Sequence, residues 1–295
     1  MKWRRLKDSF ATRSFRLILI LTNSLVLIIV VGLLIKGKPI LSQKSIIELL
    51  FSSNWHPLKG QFGFFPFIIG TIEVTAIAMI LAVPICLLSA IYLAEYASRR
   101  VREFLRPVID ILAGIPSVIY GLWGVIVIVP FVRWLGQMTG HATSGYNLLS
   151  GGIVLAIMVF PFIISVATEV FLTVPIEARE VSLALGTTRW ETVKHVVLKC
   201  ASRGVIAAIV LGFARAFGET MAVLMVVGNV AKVPKSLFDS AYPLPALIAN
   251  NYGEMMSIPL YDSALMLAAL ILFGIVTVFN LGAHLTLLRI ERRTR

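Results

Sequence analysis

Long apolar stretches alternate with short polar ones along most of the chain. A helix needs about 20 apolar residues to cross a hydrocarbon core about 30 Å thick, because it rises about 1.5 Å per residue. Helices satisfy their own backbone hydrogen bonds in lipid, and these runs have helix length. The pattern therefore predicts an all-α integral membrane protein with about six transmembrane helices: Phe15–Ile35, Phe67–Tyr92, Ile111–Val132, Gly152–Leu172, Gly204–Gly228 and Ser263–Leu288.

Composition agrees with a membrane protein and excludes an ordinary soluble domain. The 295 residues are 58% hydrophobic and 14% charged, with a mean hydropathy of +0.90, whereas soluble domains carry about 25% charged residues. A net charge of +12 would suggest nucleic-acid binding in a soluble chain, but in a membrane protein the distribution of basic residues sets orientation. No nucleic-acid partner is therefore predicted.

Basic residues are concentrated on one side of the predicted membrane. The N-terminal segment, the loops 93–110 and 173–203, and the C-terminal tail hold 19 of the 27 Lys and Arg residues, whereas the loops on the other side hold 7. Cytoplasmic loops of membrane proteins carry the excess of Lys and Arg. Both termini and the loop 173–203 are therefore predicted to be cytoplasmic, and the basic tails are expected to contact anionic membrane lipid.

The fifth apolar stretch carries a charged pair, Arg215 and Glu219, close to its middle. An Arg at the centre of a membrane helix costs about 2.5–3.5 kcal/mol on insertion scales, and such residues usually face the bundle interior or an aqueous path. In a continuous helix the i, i+4 spacing places both side chains on one face. The face also holds small residues, which predicts a groove beside the pair: Ala208, Gly212 and Ala222.

These residues make the fifth stretch the predicted pathway for an anion, with Thr220 as an additional hydroxyl donor. The alternative is a structural salt bridge that locks two helices together. Glu73 near the external end of the second helix and Glu169 near the internal end of the fourth are secondary candidates. Both also fit a position at the depth of the lipid headgroups.

The loop 173–203 has the signals of two short helices joined by a tight turn. Pro175 suits a helix start, Ile176–Leu185 forms about three turns, and Gly186 fits the left-handed position after a helix. Thr188 followed by Glu191 is typical of a capping box that opens a second helix. Because its surface mixes charged and apolar side chains, we expect a partner protein to dock here: Glu177, Arg179, Glu180, Val181, Leu185, Arg189 and Trp190.

This loop resembles the cytoplasmic loop of ABC-type importer permeases, whose pattern is Glu-Ala-Ala, three residues, Gly, nine residues, Ile-x-Leu-Pro. Glu180, Gly186 and Leu198 match that pattern, whereas the Ala, Ile and Pro positions hold other residues: Val181, Ser182, Val196 and Lys199. Further segments resemble the PstC type of phosphate-importer permease, namely Trp55–Thr75, Leu112–Gly124 and Phe213–Asn229. Together the segments extend from Trp55 towards the C-terminus.

The resemblance implies a type I ABC importer (MetI-like) permease core in a bacterial cytoplasmic membrane. Residues 67–288 would form this core, preceded by a basic tail, a first helix and an external loop in 1–66 and followed by a basic tail in 289–295. The implied partners are a second permease subunit, two ATP-binding subunits and an extracytoplasmic phosphate-binding protein. The residues implied to couple to the ATPase are Glu177, Glu180, Gly186, Arg189 and Trp190.

The sequence has no G-x-x-x-x-G-K-[ST] motif, so a partner subunit is expected to hydrolyse the ATP. No cofactor or metal is predicted, because the four His and two Cys residues lie far apart in the sequence. An Arg guanidinium matches phosphate oxygens bidentately, and a Glu carboxylate can accept a hydrogen bond from a protonated phosphate but repels sulfate. Two rival interpretations stay open: a permease for molybdate, tungstate or sulfate, and a proton-coupled secondary transporter that uses Glu219 and Glu73.

Overall fold

The computed structural model describes residues 2–254 and 258–293. Within this part of the chain, six helical segments are long and apolar enough to cross a membrane, the number that the apolar pattern predicts. We number them as spans in chain order: span 1 is Phe10–Leu41, span 2 Phe65–Tyr96, span 3 Ser117–Met138, span 4 Leu148–Leu172, span 5 Arg189–Phe217 and span 6 Tyr261–Ala283.

Shorter helices and one small hairpin connect or continue these spans. The α-helices are α1 (Lys2–Leu41), α2 (Ile46–Phe51), α3 (Phe65–Ile91), α4 (Arg99–Gly114), α5 (Ser117–Trp123), α6 (Val129–Met138), α7 (Leu148–Leu172), α8 (Ile176–Ala184), α9 (Arg189–Thr192), α10 (Leu198–Phe217), α11 (Met221–Val226), α12 (Leu244–Asn251) and α13 (Tyr261–Arg293). Two strands, β1 (Trp55–His56) and β2 (Gln61–Phe62), pair antiparallel. Single π-helical turns interrupt spans 2, 3 and 5 at Tyr92–Tyr96, Gly124–Ile128 and Val193–Val197.

Span 4 occupies the centre of the bundle. More than half of the residues in its most apolar 18-residue stretch are buried inside the protein, whereas none are buried in the corresponding stretch of span 1. Span 4 packs along span 2 where Gly152 meets Ile77, and a Cβ atom at Gly152 would lie only 2.4 Å from Ile77 Cγ2. Small residues allow this close approach of two membrane helices. Span 1 instead packs against α13 at the edge of the bundle, with Gly37 against Leu267.

The structure corrects the predicted third helix, Ile111–Val132. Helix α4 ends at Gly114, the backbone is extended at Ile115 and Pro116, and span 3 begins at Ser117. A residue before proline is disfavoured in the helical conformation, which explains the break. The apolar residues 111–114 therefore belong to α4, a separate amphipathic helix whose N-terminal half is rich in arginine.

The structure also corrects the predicted fifth helix, Gly204–Gly228. Helix α10 ends at Phe217, residues 218–220 are not helical, and α11 begins at Met221. At its other end, α10 continues through the π-helical turn into α9, so span 5 extends into the loop 173–203. The predicted i, i+4 arrangement of Arg215 and Glu219 on one continuous helix is therefore wrong.

An aromatic cluster closes the end of the bundle opposite the loop 173–203, which we call the outer end; the end with the loop is the loop end. Trp55 lies at the centre of this cluster, with its ring centroid 4.8 Å from that of Phe67 and 5.6 Å from that of Phe62. The predicted short helix near 45–51 is present as α2. In the loop 229–262, the helix in the described residues is the short α12.

Candidate functional site

Arg215 lies in the last turn of α10 with its guanidinium against span 4. Its Cζ atom is 5.1 Å from the ring centroid of Phe162, within the range of a cation–π contact. Its Nε atom is buried and has no hydrogen-bond partner among the described residues. Phe162 is close to the midpoint of span 4, so the charge sits at the middle of the predicted membrane thickness. A half-buried arginine with a buried, unused Nε donor is a candidate anion-binding group.

Glu219 lies in the interruption between α10 and α11 and does not pair with Arg215. Its Oε1 atom accepts a hydrogen bond of 3.1 Å from the backbone N–H of Ala222, in the first turn of α11. Among the described ion pairs within 4.0 Å, none joins Glu219 to Arg215. The alternative of a structural salt bridge between these two residues is therefore not what the structure shows.

The small residues that were expected to line a groove beside the pair are packed instead. Ala208 and Ala222 are fully buried. A Cβ atom at Gly212 would lie 2.6 Å from Ile163 Cδ1 of span 4. Small side chains thus let span 5 approach span 4 closely, which places Arg215 beside Phe162.

Thr220 and the interruption add polar groups close to Arg215 along the chain. Thr220 is half-buried, and its hydroxyl donates to the carbonyl oxygen of Gly218 at 3.4 Å. Residues 218–220 thus add a hydroxyl, a carboxylate and helix-end backbone groups within five residues of Arg215 along the chain. We define the central polar segment as Arg215 and residues 218–220.

Glu73 lies in span 2 near the outer end, away from the central polar segment. Its Oε2 atom is buried and has no hydrogen-bond partner among the described residues. Its side chain lines a cavity of about 490 Å³ together with Leu148, Lys235 and neighbouring residues of the outer loop. Leu148 precedes Phe162 by 14 residues in span 4, which is about 21 Å of helix. The structure therefore does not bring Glu73 together with Arg215.

Glu169 lies in a surface ion pair. Its Oε1 atom is 2.8 Å from Nη2 of Arg106, and both side chains are more than half exposed. Exposed pairs of this kind contribute about 0–1 kcal/mol to stability. The pair joins α4 to span 4 at the loop end.

The predicted helix–turn–helix of the loop 173–203 is present; we call residues 176–192 the elbow. Helix α8 is followed by Gly186 at φ +82°, and Thr188 and Glu191 form the predicted capping box at the start of α9. The backbone N–H of Thr188 donates to Glu191 Oε2 at 2.7 Å, and that of Glu191 donates to Thr188 Oγ1 at 3.3 Å. The elbow is a preorganised unit, because its turn is hydrogen-bonded from both sides.

Ser182 explains one departure from the alanine pattern of the importer loop. Its buried hydroxyl lies 2.9 Å from that of Thr187 and 3.0 Å from that of Thr192. The hydroxyls of Thr187 and Thr192 are also 3.0 Å apart. Three hydroxyl groups therefore hold α8 against α9, a contact that an alanine at this position could not make.

The outer surface of the elbow is partly apolar and uncovered in the single chain. Leu185 is 80% exposed, Ile176 65%, Val181 62% and Trp190 50%. Glu177 and Glu180 are exposed beside them. Exposed apolar side chains rimmed by charge are typical of a protein-binding surface.

Two arginines of the elbow contact the end of span 2, and of the two Arg179 is half-buried whereas Arg189 stays exposed. Arg179 is turned towards the end of span 2, where its Nη2 atom donates to Glu95 Oε1 at 2.8 Å. Arg189 stacks over the ring of Tyr96 at 4.9 Å and donates from Nη2 to the backbone carbonyl of Glu95. Glu95 could not be recognised from the sequence, because its partner Arg179 is 84 residues away. The one feature of the sequence that could have indicated a role for Glu95 is its position as a carboxylate at the very end of an apolar run.

A bundle of membrane spans with a buried, unused arginine donor at mid-depth and a preorganised elbow at one end fits a membrane transport protein. Residues 86–295 match the family described as binding-protein-dependent transport system inner membrane component. The chain belongs to this family, in the branch of the PstC permeases of phosphate transport systems. It is thus a multi-pass membrane protein.

Three relatives illustrate the similarity. The chain is 38% identical to the phosphate transport system permease protein PstC of Xylella fastidiosa (strain 9a5c), covering 98% of this chain and 94% of the relative. It is also 38% identical to PstC of Pasteurella multocida (strain Pm70), covering 83% and 81%. It is 42% identical to the probable ABC transporter permease protein YqgH of Bacillus subtilis (strain 168), covering 70% and 67%.

Solved structures share the fold. A chain of the MetNI methionine ABC transporter in an inward-facing conformation superposes with a TM-score of 0.59 at 18% identity, covering 77% of this chain and 97% of that chain. A chain of a bacterial ABC transporter that imports alginate superposes with a TM-score of 0.54 at 16% identity, covering 86% and 89%. The predicted MetI-like fold is therefore confirmed.

Proposed function

We propose that this chain is the membrane-embedded permease subunit of an ATP-driven importer of inorganic phosphate. The observation that carries the proposal is the half-buried Arg215, whose buried Nε donor has no partner among the described residues at the middle of a family-typical bundle. The names of the PstC relatives support phosphate as the ion. The concentration of basic residues at the loop end supports a cytoplasmic position for the elbow and both termini.

Arg215 is proposed to bind the phosphate in transit. Its planar fork matches two phosphate oxygens, and the attraction is stronger in the membrane interior than in water, although desolvation offsets much of it. Such binding is useful for transport only if it remains weak enough to release the ion. Arg215 has no carboxylate partner among the described ion pairs, so the arriving anion would not have to displace one.

Glu219 and Thr220 are proposed to distinguish an anion that carries a proton from one that does not. A carboxylate has about four acceptor positions, so the bond to Ala222 N–H leaves Glu219 free to accept from a P–OH group. Phosphate carries such a proton at neutral pH, whereas sulfate does not and would meet only repulsion. Glu73 is proposed to line the substrate path at the outer end, apart from Arg215, in a cavity that Lys235 also lines.

The energy is proposed to come from two ATP-binding subunits, one of which docks on the elbow of this chain. The exposed apolar and acidic side chains of the elbow supply the docking surface. The proposed coupling residues are Glu177, Glu180, Gly186, Arg189 and Trp190. A second permease subunit would complete the pathway, and an extracytoplasmic phosphate-binding protein would deliver the ion to the outer end.

Purification of the intact complex and its reconstitution into vesicles tests the proposal. We expect a co-purified ATPase and sister permease, and uptake of radiolabelled phosphate that requires ATP and the binding protein. Excess sulfate, molybdate or tungstate should not compete. Uptake without ATP that stops on addition of an uncoupler would instead establish a proton-coupled secondary transporter, and preferential competition by another oxyanion would identify that ion as the substrate.

A further inference from the structure

The last turn of span 2 is held by arginines from two other elements. This turn is the π-helical segment Tyr92–Tyr96, and helix ends leave carbonyl groups without partners inside the helix. Arg102 of α4 donates from Nε to the carbonyl of Leu93 at 2.9 Å and from Nη2 to that of Ala94 at 3.0 Å. Arg189 of the elbow donates to the carbonyl of Glu95.

The side chain of Glu95 makes the strongest connection to the elbow. Arg179 donates to it from Nη2 at 2.8 Å and from Nε to both carboxylate oxygens at 3.2 Å. The Glu95 side chain is 9% exposed and that of Arg179 is 17% exposed. Charge-assisted, bidentate pairs of this kind combine strength with a fixed relative geometry.

The same arginine also binds the end of span 4. Arg179 donates from Nη2 to the carbonyl of Phe171 at 2.8 Å and from Nη1 to that of Val174. One side chain of the elbow thus holds the loop ends of spans 2 and 4 together. We call Glu95, Arg102, Arg179 and Arg189 the arginine clamp.

A simple stabilising role does not account for this arrangement. Desolvation offsets most of the attraction in a buried ion pair, and apolar residues of similar volume often stabilise a fold equally well or better. The ion pair differs from an apolar contact because its hydrogen bonds fix the orientation of the elbow relative to span 2. Among the described contacts, the exposed i, i+4 pair Arg99–Glu103 on neighbouring α4 has no such connection to another element.

We propose that Glu95 and Arg179 are positioning residues that transmit the movement of the ATPase-bound elbow to spans 2 and 4. The inference rests on the proposed function, since it assumes an ATPase at the elbow. Spans 2 and 4 pack along each other, and span 4 carries Phe162 beneath Arg215. A displacement of the elbow that is passed rigidly to both spans would therefore reach the central polar segment.

The test measures ATP hydrolysis and phosphate uptake together in vesicles that contain the intact complex. We expect Glu95→Gln to keep the complex assembled and hydrolysing ATP, but to lower the phosphate moved per ATP about tenfold, within the range that coupling residues contribute. Glu103→Gln removes the same charge from the exposed pair and should leave this ratio unchanged. A wild-type complex that hydrolyses ATP without moving phosphate would refute the proposed function itself.

A second variant keeps the test decisive if Glu95→Gln fails to assemble. Glu95→Met together with Arg179→Met replaces the buried pair by apolar side chains, a change that generally preserves folding better than loss of one charge. It also removes the Arg179 hydrogen bonds to the carbonyls of Phe171 and Val174, which belong to the same clamp. We expect this complex to assemble and hydrolyse ATP with the same loss of transport per ATP. A wild-type ratio in either variant, or a proportional loss of hydrolysis and uptake, would show that the clamp only supports the structure, and the inference would be wrong.

Discussion

Arg215 differs from other arginines of this chain because its charge lies at membrane depth without an acidic partner among the described ion pairs. We predict that Arg215→Gln lowers phosphate uptake by about 100-fold, since hydrogen bonds to a charged group are worth about 1.5–3 kcal/mol. Arg215→Lys should retain part of the uptake activity, because lysine keeps the charge but lacks the planar guanidinium that can bind two oxygens at once. Uptake of radiolabelled phosphate into vesicles measures both.

The matched control is Arg99→Gln, which removes an arginine from an exposed ion pair. It should leave uptake unchanged, and all three variants should assemble with their partners. Wild-type uptake by Arg215→Gln would remove this residue from the pathway.

Glu219 allows a separate prediction about ion selectivity. Glu219→Gln keeps an oxygen that can accept from the backbone N–H of Ala222, so α11 retains its cap. It removes the negative charge, and a like-charge contact costs on the order of 1 kcal/mol or more, so discrimination against sulfate should fall about tenfold. Competition between labelled phosphate and unlabelled sulfate measures the change. Equal selectivity in variant and wild type would show that Glu219 only caps the helix.

At the residue scale, the sequence pointed to the buried charge but not to its surroundings. Arg215 is evident because a single arginine interrupts an apolar run. Its separation from Glu219 was not evident, because Gly218 also occurs within membrane helices and the flanking residues are apolar on both sides. The inward orientation of Arg179 depends on Glu95, a contact between distant parts of the chain, and a local pattern carries no information about it.

Among the elements, the elbow follows most closely from local sequence signals. Gly186 has φ +82°, and a Cβ atom there would meet no atom within 4 Å. Gly186→Ala therefore introduces conformational strain without a clash, about 1–2 kcal/mol for the left-handed region. The free elbow of the variant can relax to relieve this strain, and docking must restore the turn. We therefore predict association with the ATP-binding subunits to weaken by up to about 5- to 30-fold, the factor that corresponds to this energy. Pull-down of the purified subunits measures it.

Gly114→Ala is the control for this prediction. Its Cβ atom would also meet nothing within 4 Å, but Gly114 lies in a helix and has no positive φ. This substitution should be neutral or slightly stabilising. An equal effect of both substitutions would argue against a special conformation at Gly186.

The packing of spans 2 and 4 allows a similar comparison between adjacent glycines. A Cβ atom at Gly152 would lie 2.4 Å from Ile77 Cγ2, whereas one at Gly151 would lie 3.4 Å from Val227 Cγ2. Gly152→Ala should therefore destabilise the subunit by about 1–3 kcal/mol through overpacking, and Gly151→Ala should not. Thermal unfolding of the purified subunit checks both. Similar midpoints for the two variants would contradict the close contact of the spans.

Helix boundaries were the least predictable part of the elements. A run of apolar residues fixes the presence of a span but not its ends, because α4 and span 3 form one continuous apolar pattern across Ile115 and Pro116. The start of span 5 could not be located from the apolar pattern either. Its π-helical turn allows α9 to continue into α10, although the residues there are polar as well as apolar.

On the scale of the whole molecule, the number of spans follows from hydropathy, whereas their arrangement depends on contacts between distant residues. The central position of span 4 rests on glycines that fit individual side chains of other spans, such as Gly152 on Ile77. The orientation of the molecule rests on the distribution of basic residues alone, and it can be tested with the natural cysteines.

Cys200 is exposed near the loop end, and Cys86 is buried inside span 2. We predict that a membrane-impermeant maleimide labels Cys200 in inside-out vesicles and not in right-side-out vesicles, because the loop end is proposed to be cytoplasmic. Cys200→Ser should abolish the labelling, since Cys86 is inaccessible. Mass spectrometry of the labelled chain provides the measurement. Labelling of Cys200 in right-side-out vesicles would reverse the proposed topology.

The interruption of the helix at residues 218–220 restricts which side of the subunit can face the surrounding lipid. Ends of helices leave polar backbone groups that hydrocarbon cannot solvate, and irregular backbone survives at this depth only against protein or water. Fatty-acyl chains are thus an unsuitable environment for this flank of span 5. The bilayer itself would penalise any rotation that exposed it, and would in this way help to orient this subunit towards its proposed sister permease before any solute arrives.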